Sequence, residues 1–208
     1  MLNFENLDKF VPVSVGKYAI PQIESAEYDH CDWIPFNHAK TCKDTEGKGV
    51  HFFVDDYQFT RLWSDAARYI PILSKFQYVM SPDFSTFTDM PIALQIYNHY
   101  RKHWLGAYYQ AYGIRVIPTI SWSDKDSFDW CFDGEPVNSV VAISTVGCMN
   151  REESKELFFA GYEEMKRVLS PTKILCYGKV PDKIKDEVEY IGCYYDKIVA
   201  ERLAKNGR

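Results

Sequence analysis

Apolar and polar positions change rhythm after Gly49. Val50–Val54 (VHFFV), Phe76–Met80 (FQYVM), Ile114–Trp122 (IRVIPTISW), Ser139–Ser144 (SVVAIS) and Lys173–Tyr177 (KILCY) are short, mostly apolar runs, each followed by polar or turn-forming residues. Their length and near-continuous apolar character predict strands covered on both faces. Val188–Cys193 predicts a sixth, with a short helix after it. Between the runs the period lengthens. Residues 57–69 place Phe59, Leu62, Trp63 and Ala66 at helical spacing, as do Ile96, Tyr100, Trp104 and Tyr108 within 90–112, and Leu157, Gly161, Met165 and Val168 within 151–169. Asp89 reads as the N-cap of the long middle helix and Gly113 as its left-handed C-terminal residue. Asn150 and Glu153 have capping-box spacing before the next helix, and Ser170-Pro171 stops it.

Strands alternating with helices argue for parallel pairing through right-handed crossovers. The expected fold is therefore α/β: a mainly parallel sheet of five or six strands with crossover helices, either degenerate TIM-barrel-like or flavodoxin-like. Residues 1–49 lack this grammar, with Pro12, Pro21 and Pro35 and the stretch CKDTEGKGV, and read as an irregular N-terminal layer with a short extended piece at Asp32–Phe36. At 208 residues the whole chain is expected to form a single domain.

Composition narrows the function classes. A net charge of -5 disfavours a stand-alone duplex-DNA binder, so nucleic acid is left only a local patch of Arg101, Lys102, His103 and Arg115. No apolar run approaches the roughly 20 residues that span a bilayer, and the opening MLNFENLDKF lacks the apolar centre of a secretion signal. A cytoplasmic location is expected, with no membrane contact. The six cysteines form no CxxC pair and read as reduced, mostly buried thiols.

Candidate chemistry sits at the strand exits. In a parallel sheet these share one edge, and ligands bind there. The exits carry Asp55 and Asp56, then Asp83, then Trp122 and Ser123, then Thr145 and Gly147, then Tyr177. Two carboxylates about 4 Å apart repel by roughly 4 kcal/mol at an effective dielectric of 20. A bound cation, a basic partner or a retained proton relieves that repulsion. Asp55, Asp56 and Asp83 are thus candidate catalytic acids or bases, and Asp55 and Asp83 candidate ligands of a divalent cation. The plainer roles are an Asx-turn onto Ser85 for Asp83 and helix capping for Asp55 and Asp56. Trp122, Ser123, Thr145, Gly147 and Tyr177 are candidate ligand-binding residues, the Thr145-Val146-Gly147 turn offering backbone N–H groups to an anion.

Other constellations carry weaker signals. His30, Cys31, His38 and Cys42 lack the tight paired spacing of structural zinc sites. His99 and His103 stand four apart on the long helix, yet the Glu of HExxH is missing, and Arg101 and Lys102 between them suggest a solvated face. Cys148 lacks a neighbouring His and reads as a buried thiol.

FFVDDYQFTRLW, SPDFSTFTDMPIALQIYNHYRKHWLGAYYQAYGIRVIPTISWSD, WCFDGEP and SVVAISTVG, taken in order, resemble the family catalogued as domain of unknown function 4417, over residues 33–180. The resemblance implies a small intracellular protein of bacteria, chiefly Gram-positive ones, or of phages and other mobile elements, and it transfers no catalytic residue. Together the readings point to a domain binding a small anionic ligand, a nucleotide or sugar phosphate, with metal-assisted hydrolysis as its chemistry. The alternative is a non-enzymatic accessory protein that binds a host or phage protein.

Overall fold

A computed structural model describes residues 5–10 and 12–192; the C-terminal helix expected after Cys193 lies outside them. The chain opens with an antiparallel hairpin, β1 (Ser14–Val15) and β2 (Ile20–Pro21). Next comes a parallel sheet of β3 (Asp32–Pro35), β4 (Lys48–His51), β5 (Tyr78–Met80) and β6 (Val116–Ile117), paired in that order. A second parallel group comprises β7 (Val140–Ser144), β8 (Lys173–Tyr177) and β9 (Glu189–Tyr190).

Pro118 explains how the two groups join. Val116 and Ile117 pair with Val79 and Met80 of β5, and then the chain turns to β7 through a Thr119–Ala142 bridge. The Ala142 N–H donates to Pro118 O at 2.8 Å and the Ile120 N–H to Ala142 O at 2.8 Å. Pro118 has no N–H to give, and its place is where the strand changes partner.

Among the described residues seven parallel strands therefore run in sequential order, where the sequence suggested five or six. The extra one is β3, which falls on the extended piece expected at Asp32–Phe36 and pairs with Lys48–His51. Strand order never reverses between β3 and β9, as a doubly wound sheet requires. No closed barrel forms among the described residues either. The sheet curls until its edges meet through side chains: Tyr28 Oη donates to Glu189 Oε1 at 3.0 Å, and His30 Nδ1 lies 2.9 Å from the same oxygen. Inside the curl, residues of both groups share one core, including Val50, Val79, Ala142 and Leu175. A second core lies under α5 (Glu152–Leu169) and contains Ile143, Phe158, Tyr162 and Met165.

The helices divide into short and long. The stretch 57–69, expected as one helix, is instead a 3-10 turn (Asp56–Gln58), α2 (Arg61–Ser64) and a further 3-10 turn (Ala66–Tyr69), preceded by α1 (Phe36–Ala39) and followed by α3 (Ile70–Leu73). Ser64-Asp65 breaks the run, Asp65 holding φ -151°, because short polar side chains compete for the helical backbone. The two long helices are α4 (Ile92–Ala111) and α5. Neither has the expected cap: α4 starts at Pro91 and not Asp89, and α5 at Arg151 and not Asn150, with no side-chain cap bond in either. Their ends do match expectation, with Gly113 at φ +78° and Ser170 left-handed at φ 46°. Among the described residues no helix is long and apolar enough to cross a membrane.

Candidate functional site

The carboxyl ends of β4 and β5 set the first two walls of a cavity of about 350 Å³. Each exit is bent by a three-residue turn, the Val54 N–H donating to Phe52 O at 2.7 Å and the Phe84 N–H to Pro82 O at 2.9 Å. Asp83 is the central residue of the second turn. Asp55, Asp56 and Asp83 all line the cavity. Phe53, Phe84, Phe87, Trp122 and Phe158 supply aromatic walls. Ser144, Val146 and Cys148 close it from the exit of β7. Among these described lining residues there is no Lys, Arg or His.

The three acids differ in surroundings. Asp55 is exposed at the mouth. Asp56 holds the neighbouring loop: its carboxylate accepts from the Ser85 N–H at 3.1 Å and from Ser85 Oγ at 2.8 Å. Ser85 O accepts in turn from Asn98 Nδ2 on α4 at 2.6 Å. Asp56, not Asp83, thus makes the contact to Ser85. Asp83 is half-buried, and its carboxyl has no hydrogen-bond partner among the described residues. Burial raises its pKa to about 7; Lys102 opposes the rise and Asp56 adds to it. Burial, more than the neighbouring Asp56, thus favours the protonated form of Asp83.

Trp122 is fixed rather than mobile at the cavity wall. Its Nε1 donates to Leu157 O at 3.2 Å, and its ring lies 5.7 Å from that of Phe158. α5 approaches it at Gly161, where a Cβ would fall 2.2 Å from Trp122 Nε1. The remaining sequence candidates stand behind the walls. Ser123 Oγ is buried and donates to Gln95 Oε1 at 2.6 Å. Thr145 Oγ1 donates to Lys179 O at 2.9 Å, tying the β7 exit to the β8 exit. Gly147 holds φ +81° in an exposed turn outside the lining. That turn runs into α5, whose first turn carries Glu152 and Glu153, charges that oppose an anion. Tyr177 is buried against Phe53, ring centroids 5.1 Å apart, and buttresses that wall. Cys148 lines the cavity, but burial and Asp83 raise its thiol pKa, so it is no activated nucleophile.

The structure separates other groups that the sequence suggested. His30 pairs with Glu189, and Cys42 Sγ donates to Asp44 O, so His30, Cys31, His38 and Cys42 do not converge on an ion. The basic patch dissolves: Lys102 and His103 are 1% and 0% exposed, and the Arg101 guanidinium stacks on Phe84, 4.0 Å from the ring centre. The solvated face expected for His99 and His103 is overturned by the same burial. Sequence reasoning passed over Phe84, Ser85 and Phe87 as site residues, although SPDFSTFT places all three just beyond the exit of β5.

A family model described as Domain of unknown function (DUF4417) matches residues 13–195. The Gene 1 protein of Mycobacterium phage L5 is 41% identical over 191 residues, covering 90% of this chain and 76% of that protein. The Gene 1 protein of Mycobacterium phage D29 is 35% identical over 189 residues, 88% of this chain and 70% of its own. No solved structure matches.

Proposed function

This chain belongs to the DUF4417 family, and for this protein of phage type we propose that the rim cavity binds a nucleotide or sugar phosphate together with a divalent cation. The convergence of Asp55, Asp56 and Asp83 from two strand exits onto one aromatic-walled cavity carries this reading. The described lining residues include no basic side chain, so a phosphate would need a cation to neutralise it. Magnesium is suited to such a site, since it keeps several waters and uses one or two carboxylates plus substrate phosphates. Asp55 and Asp83 are the proposed ligands, with Asp56 held by Ser85 at their side. Trp122 and Phe87 provide ring faces for a base or sugar. A cation held by Asp55 and Asp83 would supply Lewis-acid activation of a water for hydrolysis, and Asp83 would stand beside it to take the proton.

A thermal-shift panel tests this reading. Nucleotides and sugar phosphates are each measured with and without magnesium, on wild type and on Asp83→Asn. A ligand at a hundred times its Kd stabilises by about 2.7 kcal/mol. The expected result is a shift that needs magnesium and is lost in the variant. Shifts that appear without cation, or none in the whole panel, contradict it.

A second reading rests on the cavity's surroundings. Tyr57, Phe87 and Val146 come after three different strands on this rim and are 78%, 62% and 63% exposed. Such apolar residues around a mouth suit a host or phage protein that covers it. Capture of a partner by wild type, abolished by Phe87→Asp and unaffected by Asp83→Asn, would favour that reading.

A further inference from the structure

α4 and the turn at 133–135 bring two imidazoles and a carboxylate together away from the rim cavity. One potential ligand atom from each of His99, His103 and Glu135 lies within 4.8 Å of the others, and all three residues are buried. Helical spacing of four aligns the two rings, whose centroids are 4.3 Å apart. Gly134, at φ +78°, lets the backbone pass where a Cβ would fall 2.8 Å from His103 Nδ1.

The hydrogen bonds fix the tautomers. His99 Nε2 lies 3.0 Å from Asp133 O and His103 Nδ1 lies 2.8 Å from Pro21 O. A carbonyl only accepts, so each of these nitrogens carries the proton. In the neutral rings the lone pairs are left on His99 Nδ1 and His103 Nε2. A backbone carbonyl behind each imidazole is the outer-shell arrangement that orients metal-bound histidines.

Two features of Glu135 bear on what else could bind here. Its Oε1 lies 2.9 Å from His103 Nε2, a contact that needs either a proton or a cation between the two atoms. Its Oε2 is buried without any hydrogen-bond partner, a costly state for a carboxylate oxygen. Lys102 Nζ, 2.6 Å from Oε1 and 2.7 Å from Thr119 O, orients the carboxylate through the first oxygen and leaves the second unused.

We propose that His99, His103 and Glu135 form a site for one divalent metal ion of the zinc class, bound through His99 Nδ1, His103 Nε2 and Glu135 Oε2. Two imidazoles and one carboxylate are a donor set that zinc accepts, with a fourth position left to water. The ion would cross-link α4 to the 133–135 turn. This site is independent of the rim cavity and shares no ligand with it.

The test is cobalt(II) and zinc content in the full chain expressed with either metal in the medium. One tightly held ion per chain is expected at this site, and the cobalt form should show the intense visible bands of a low-coordinate, nitrogen-ligated ion. His99→Gln and Glu135→Gln should weaken binding by more than about 100-fold, beyond the loss typical of outer-shell changes, while Asp83→Asn keeps the ion. Because a variant in so buried a cluster can unfold, the wild-type cobalt spectrum decides by itself. Absence of those bands in folded wild type, with no ion retained, overturns the proposal and leaves a proton between His103 and Glu135. Metal retained equally by folded His99→Gln and Glu135→Gln overturns it too.

Discussion

Asp83 is a carboxyl raised to about 7 by burial, with no hydrogen bond among the described residues to hold its charge. A raised carboxyl favours the folded state while the proton stays on. Its stabilisation is complete below the unfolded value of 3.8 and is lost as the pH rises to about 7. Asp83→Asn should therefore be more stable than wild type at neutral pH, by about 1–2 kcal/mol after allowing for partial exposure. The difference should vanish in acid, and denaturant unfolding across a pH series reads it. Equal stabilities at neutral pH would show that the carboxyl is comfortably ionised. Asp56 predicts the opposite sign. Removing the acceptor for both the N–H and Oγ of Ser85 should make Asp56→Ala less stable by about 1–3 kcal/mol, measured the same way. The sequence made an extra acid at the β5 exit visible. Which acid holds Ser85 was not legible, because the contact joins residues 29 positions apart.

At the scale of elements, apolar runs marked β5, β7 and β8 well, since these strands are covered on both faces. β3 was harder: it is four residues long, ends in proline and alternates exposed with buried positions. The helix caps were misjudged because Asp89 and Asn150 have cap-forming side chains but lie before the residues where the backbone turns helical. α4 hid its site for another reason. Gln95, Asn98, Lys102 and both histidines are all buried, so its polar positions do not mark a solvated face; they serve an interior network. Only long-range partners such as Glu135 and Pro21 reveal that. Packing of α5 on the cavity wall predicts a further effect. Gly161→Ala puts a methyl into the Trp122 ring and should cost about 1–3 kcal/mol. It should also weaken any rim ligand, because the indole must shift. Unchanged unfolding midpoint and ligand affinity would mean that α5 moves away at little cost.

For the whole molecule, the decisive property is that every strand from β3 to β9 runs the same way. Parallel order gathers chain exits from distant sequence positions onto one rim, and this much was legible from the alternation of strands and helices. Strand order and the side-chain closure between Tyr28 and Glu189 were not, since they depend on contacts across 161 positions. The central claim is that Asp55 and Asp83 hold a cation at that rim. Amide NMR of the protein titrated with manganese(II) tests it most directly, because the paramagnetic ion broadens signals around its own position. Broadening should begin at residues 53–56, 83–87 and 120–122 and disappear in the Asp55→Asn, Asp83→Asn double variant. Rim amides that stay sharp while manganese broadens some other region, or no region at all, would contradict the account.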